Sequence, residues 1–209
     1  MDKVPKRLKF AQGCSFIPEG VWVDIGAGNG KYLTHMPLGS RGLDIADNKT
    51  LGIARWNFLE SFPSGFEEKF NVAWCSNLIE HILDPHKFLI NARKLLVPDK
   101  NSVLVIACPN TIFLSHGPWK GTLAEDHVNF FNMRTLKLTL QYAGYEIIFS
   151  GSPSFPNLPR FLSRVLGPIG PTLFIVARPI PNFQYHELAC KVLDENGEIT
   201  FKEGTYPTL

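Results

Sequence analysis

The sequence predicts an α/β fold, doubly wound around a mostly parallel sheet, and three observations carry that prediction. From about residue 20 to residue 177, apolar runs rich in β-branched residues alternate with helix-like stretches, the pattern of parallel strands joined by crossover helices. The run SVLVIAC at 102–108 is continuously apolar, as a central strand covered on both faces must be. A triple-glycine turn, VDIGAGNG at 23–30, follows the first apolar run and opens a helical stretch.

The elements follow in order. VWVDI at 21–25 is the first strand, followed by a short helical stretch at 31–36 that Pro37 stops. RGLDI at 41–45 and NVAWCS at 71–76 are further strands. Asp84 and Pro85 supply an N-cap and a first-turn proline, and Phe88, Leu89, Ala92, Leu95 and Leu96 repeat at helical spacing. Residues 109–131 lack periodicity and read as a loop or lid, in which Trp119, Phe130 and Phe131 are expected to face a substrate. Asn132 caps a helix through Leu136, Leu140 and Ala143, with Gly144 just past its end. YEIIFS at 145–150 and TLFIVAR at 172–178 are the last strands. The Pro- and Gly-rich piece between them has room for two helical turns at Phe161, Leu162, Val165 and Leu166. Residues 1–180 form the main domain and 181–209 an extension, where Asn196-Gly197 between short alternating runs signals a β-hairpin.

Composition narrows the function. With 209 residues, 44% hydrophobic and 19% charged, the chain has enough apolar material for one core without disulfides or a structural metal. A formal net charge of +2 argues against a protein that grips nucleic acid by bulk charge. No apolar run reaches the roughly 18–20 residues that span a bilayer, and the polar start lacks a signal-peptide core, so a cytoplasmic location is expected. Lys3, Lys6, Arg7 and Lys9 read as a solvated, flexible terminus. Cys14, Cys75, Cys108 and Cys190 lie far apart with no CxxC pair, as reduced buried thiols do.

Glycines at the 26–30 turn let the backbone bend sharply and approach a ligand closely. The spacing is G-x-G-x-G, with Lys31 where the dinucleotide fingerprint needs its third glycine, which weakens a nicotinamide reading. Asp24, at the carboxyl end of the strand, repels a phosphate-bearing ligand and attracts a cation; a sulfonium carrying an amino acid and adenosine fits. Asp44 ends the second strand, where a carboxylate accepts hydrogen bonds from ribose hydroxyls.

VDIGAGNGKYL, GLDIADN, the segment from FNVAWCSNLIEH to VIACPN, and EDHVNFFNMRTLKLTLQYAGYEI together resemble the class I S-adenosylmethionine-dependent methyltransferases, in the broad group whose fourth strand ends in Ser-Asn-x-x-Glu-His. The resemblance runs over about 21–150. It implies a Rossmann-like, mostly parallel seven-stranded-type sheet, S-adenosylmethionine as cofactor, and transfer of a methyl group. By matching positions, Asp24, Gly26, Gly28 and Gly30 correspond to the motif around methionine and adenosine, Asp44 to the ribose-binding acid, and Ser76 and Asn77 to the sulfonium side. Asn57 falls where relatives often carry an acid beside the adenine amino group. Thirteen residues separate Gly30 from Asp44, room for a first helix of about two turns at 1.5 Å per residue. The stretch 46–56 is too short for the usual second helix plus third strand, so that side of the sheet is expected to be trimmed.

Methyl transfer from a sulfonium is an in-line displacement that needs alignment and, for a hydroxyl acceptor, a base. The titratable candidates are Glu80, His81 and His127, with Glu125 and Asp126 beside them, and His81 or His127 is the expected base. The expected acceptor is an oxygen of a small-molecule, glycan or lipid-linked compound. Two rival readings stay open: a catalytically silent binding module or partner subunit, which the trimmed region favours, and a metal-assisted RNA 2′-O-methyltransferase. The second would use Glu80, His81 and His127 as ligands, but Asn77 stands where those enzymes carry a further Glu, so no metal is expected.

Overall fold

A computed structural model describes residues 3–112, 126–154, 160–183, 191–193 and 199–201. The strands of its main sheet are β1 (Trp22–Ile25), β2 (Arg41–Asp44), β3 (Ile53–Arg55), β4 (Val72–Ser76), β5 (Val103–Pro109), β6 (Tyr145–Gly151) and β7 (Thr172–Pro179). They lie side by side in the order β3-β2-β1-β4-β5-β7-β6. β3 through β5 are parallel, and β7 runs antiparallel to both β5 and β6. Because β7 is reversed, it begins at the edge where β5 and β6 end, so the 152–171 connection leaves and rejoins the sheet at its carboxyl edge. Two further strands, β8 (Lys191–Leu193) and β9 (Ile199–Phe201), pair antiparallel as the predicted hairpin. Its Asn196-Gly197 turn lies outside the described residues.

Period-two alternation divides the sheet's side chains between two layers. Val23, Ile25, Ala73, Cys75, Leu104 and Ile106 face a large core closed by helices α2 (Pro85–Arg93) and α3 (Met133–Tyr142). Both helices carry the caps read from sequence. The Asp84 carboxylate accepts from Lys87 N at 2.9 Å, and Asn132 and Thr135 form a reciprocal capping box. Tyr145, fully buried, donates its hydroxyl to the Leu89 carbonyl at 2.9 Å and ties α2 to β6. Phe131 belongs to this core and is 6% exposed, so it packs as structure and does not face a substrate; Phe130 stands exposed, and Trp119 lies outside the described residues.

The other face holds the larger correction. The basic start is a docked helix, α1 (Lys6–Gln12), with Leu8 and Ala11 fully buried against Trp22, Trp74, Val105 and Val176. Phe10 meets Phe174 edge-on at 5.0 Å, and Phe16 stacks on Phe149 at 4.9 Å. Burying one leucine of this size stabilises by about 1.5–3 kcal/mol, and it takes the whole packed face, Leu8, Ala11 and Phe10 together, to hold a seven-residue helix that would not form alone.

The two-turn helix expected after the glycine turn is a single 3-10 turn, Leu33–His35. The trimmed 46–56 stretch keeps its strand as β3 and replaces its helix with another 3-10 turn, Lys49–Leu51, capped by the Asn48 side chain. The expected turns at 160–166 form α4 (Arg160–Leu166), which exposes Phe161 and Val165. Asn110 rivets the loops after β5 and before β7: its side-chain amide donates to the Pro168 and Gly170 carbonyls at 2.9 and 2.8 Å, and its backbone N to Pro171. Cys14, Cys75 and Cys108 are buried outside any disulfide; Cys190 lies outside the described residues. Among the described residues no helix is long and apolar enough to cross a membrane.

Candidate active site

The carboxyl ends of β1, β2 and β4 form one edge, and the predicted cofactor residues gather there. Gly26, Gly28 and Gly30 have φ of +77°, +51° and +75°, a conformation that side chains with a Cβ resist. A Cβ built on Gly28 meets nothing within 4 Å, so the turn presents bare backbone to open space. Asp44 fixes this turn, its carboxylate accepting from Gly28 N at 2.8 Å and Ala46 N at 3.3 Å, while the Leu43 carbonyl accepts from Gly26 N and Ala27 N. A buried acid lies beneath. Asp24 is 1% exposed, its Oδ2 has no hydrogen-bond partner, and burial, then the charge of Asp44, push its pKa up to about 7. A buried carboxylate without a donor is costly, and a cation entering beside it removes that cost.

Ser76 and Asn77 close the neighbouring strand end. Asn77 adopts φ +52° while its backbone N holds the Ala107 carbonyl. Sequence reasoning missed their partner, Arg7, which donates to Ser76 Oγ at 3.1 Å, Asn77 Oδ1 at 2.6 Å and Thr172 Oγ1 at 3.3 Å. Ser76 in turn donates to the Tyr32 hydroxyl at 3.3 Å. Asn57 follows β3 at the same edge, exposed, with its amide donating to Glu60 Oε1 at 2.8 Å.

The predicted acid–base residues also meet. A 3-10 turn, Ile79–His81, carries Glu80 and His81, and the chain at 128–129 docks on it: Val128 N and Asn129 N both donate to the Glu80 carbonyl at 2.9 Å. His127 is thereby held against His81, ring centroids 4.7 Å apart. His81 Nδ1 lies 3.1 Å from the Asp126 carbonyl and 3.2 Å from its carboxylate, which fixes the ring and leaves Nε2 toward Glu80. Glu80 is 2% exposed with both carboxylate oxygens unpartnered, and burial pushes its pKa up. One ligand atom each from Glu80, His81 and His127 falls within a 4.8 Å span, two nitrogens and an oxygen that suit a borderline transition metal better than magnesium. Glu125 lies outside the described residues.

A family profile described as a methyltransferase domain matches residues 4–149. No curated protein sequence matches the chain. Among solved structures, one similar chain belongs to the Haloferax volcanii complex between the Trm112 methyltransferase activator and a methyltransferase: 17% identity, 86% of this chain and 91% of that one covered, TM-score 0.61. An S-adenosylmethionine-dependent methyltransferase from Mesorhizobium loti is 17% identical over 82% of this chain and 95% of its own, with TM-score 0.56. The small RNA methyltransferase HEN1 is 16% identical over 86% of this chain but 26% of its own, with TM-score 0.62. At these identities the likeness is one of fold.

Proposed function

The chain belongs to the methyltransferase-domain family, and on that premise we propose that it moves the methyl group of S-adenosylmethionine to an oxygen of a small-molecule, glycan or lipid-linked acceptor. The single observation that carries the cofactor reading is the unpartnered, buried Asp24 beneath a glycine turn open to solvent. The cofactor's ammonium would compensate that acid, the bare backbone at Gly28 would take its adenosine, Asp44 would hold the ribose and Asn57 would stand by the base. The exposed Phe130, Phe161 and Val165 support an acceptor with an apolar part.

His81 or His127 takes the proton of the acceptor hydroxyl as the C–O bond forms and the methyl–sulfur bond breaks. S-adenosylhomocysteine and the protonated imidazole leave the step, and Asp126 and Glu80 stabilise the imidazolium. The same cluster carries a second reading, in which a bound divalent metal activates the hydroxyl.

Calorimetry with S-adenosylmethionine and S-adenosylhomocysteine tests the cofactor, and no binding at millimolar ligand leaves the silent-module reading standing. With methyl-labelled cofactor and a panel of hydroxylated acceptors, His81→Gln or His127→Gln lowers turnover about 10²–10⁴-fold while S-adenosylhomocysteine affinity holds. Turnover that survives both substitutions removes the base. Loss of turnover on chelation selects the metal.

A further inference from the structure

We propose that the trimmed side of the sheet is a docking surface for an acidic, amphipathic helix of a partner protein, seated in a groove at the amino edge of β1 to β4. The surface is separate from the glycine turn and stands independently of the methyl-transfer reading. Val21 precedes β1, Arg41 opens β2, Ile53 opens β3 and Phe70 precedes β4, and because these strands are parallel their amino ends lie at the edge opposite that turn.

The groove exists because the connection from β3 to β4 is built without a helix. Parallel strands are usually joined by a crossover helix whose apolar stripe covers the sheet. Residues 56–71 form no helix, although Leu59, Phe62 and Phe66 reach back to the core. An open groove of about 810 Å³ is left between this connection and β3. Val21, Ala54 and Phe66 form its apolar floor, each packed on the core yet only half-buried. Leu38, next to Gly39 of the lining, stands fully exposed.

Charge selects the occupant. Arg41, Lys49, Arg55 and Lys69 line the groove against one acid, Asp47, and all four cations are exposed. The whole chain nets only +2, so this concentration is local. Among the described residues no carboxylate oxygen lies within 4.0 Å of any of the four, whereas His81 and Arg178 have acids within that reach. Lys69 acts at longer range on the exposed Glu67 of its own connection. An acidic surface complements this rim, and an apolar stripe on the same element complements the floor. A helix meets both demands. A strand fits less well, because Ile53 already exchanges both its backbone hydrogen bonds with Asn48, at 2.9 and 3.0 Å, which closes much of the β3 edge. A nucleic acid also fits less well: Val21 and Ala54 offer no ring for a base to stack on, and the Phe66 ring is tilted against Phe70 with centroids 6.0 Å apart.

The probe is a stapled helical peptide of about sixteen residues with Leu at i, i+3, i+4 and i+7 and Glu on the outward face, titrated into the full chain by fluorescence anisotropy. Saturable binding at about 10–100 μM is expected, with amide NMR shifts confined to 38–42, 52–55 and 65–70. Arg41→Glu with Lys69→Glu, both at exposed positions, is expected to weaken it about tenfold or more at an unchanged melting temperature. A peptide of the same composition in scrambled order, and one with Lys in place of Glu, are expected to bind far more weakly. Equal binding of the scrambled peptide would mean charge without a groove and overturns the proposal, as does equal binding of the Lys peptide. Tighter binding of a uridine oligonucleotide, lost in the same double variant, assigns the patch to nucleic acid and overturns it too. So do shifts that map elsewhere, or no saturation of the Glu peptide up to about 1 mM.

Discussion

Strands of four, four and three residues build the half of the sheet that carries the glycine turn, β1 to β3; strands of seven, seven and eight build the opposite half, β5 to β7. The first half is linked by 3-10 turns, the second is backed by α2 and α3 with full caps. Leu43 and Leu104 are both fully buried, yet Leu104 sits in a strand flanked by partners of five and eight residues and Leu43 beside the shortest strand of the sheet. Regular backbone in this fold is concentrated away from the glycine turn. The binding half keeps little regular backbone of its own and shares α1 with the other half, the helix packing on Trp22 of β1 and on β4 to β7.

The largest test is a pair of core truncations. Leu104→Ala should cost about 2–5 kcal/mol in urea unfolding, spread over the whole molecule. Leu43→Ala should fall at or below the low end and open β2 and β3 first in amide hydrogen exchange; equal, global losses would make the sheet one cooperative unit and break the comparison. Next comes Gly42→Ala. A Cβ there lies 2.7 Å from Ile53 Cγ1 and 2.9 Å from Ala27 Cβ, so β3 and the glycine turn must shift, at about 1–3 kcal/mol. Loss of exchange protection confined to β1–β3, with weaker S-adenosylhomocysteine binding, would sharpen the contrast between the halves.

A further contrast is in pH. The folded pKa of Asp24, about 7, lies above its ordinary value of 3.8, so the apo fold favours the neutral acid. Its contribution to stability is full below the unfolded value and is lost as pH rises through about 7. An ammonium needs the ionised form, so cofactor affinity runs the other way, flat above about 7 and falling up to about tenfold for each pH unit below it. Asp24→Asn should flatten both profiles; an unchanged affinity profile would place the ammonium elsewhere.

Much of the strong half was legible in residues with a local cause. Asp84-Pro85 and Asn132 to Gly144 announce helices through caps whose chemistry lies within four residues of the terminus, and the continuous run at 102–108 announces a doubly covered strand. The glycine turn and its two acids were equally plain. α1 was not: KRLKFAQ is too short for a periodic signal and too basic to look buried, and its place is set by Phe149 and Phe174, far along the chain. Arg7 was hidden with it. Phe131 looked like part of a lid because its neighbours lack periodicity, while its burial comes from packing that no local pattern records. The sense of β7 was unreadable because an apolar run covered on both faces looks the same in either direction.

Reversal of β7 also bears on how such a protein changes over generations. Because β7 enters at the carboxyl edge, the sheet presents two adjacent loops there, one after β5 and one at 152–171, joined by Asn110. Insertions and new side chains can accumulate in the second loop, where α4 already displays Phe161 and Val165, without displacing an atom of the turn at Gly26, Gly28 and Gly30. Selection for a new binding partner can thus act on one edge loop while the glycine turn is left unchanged.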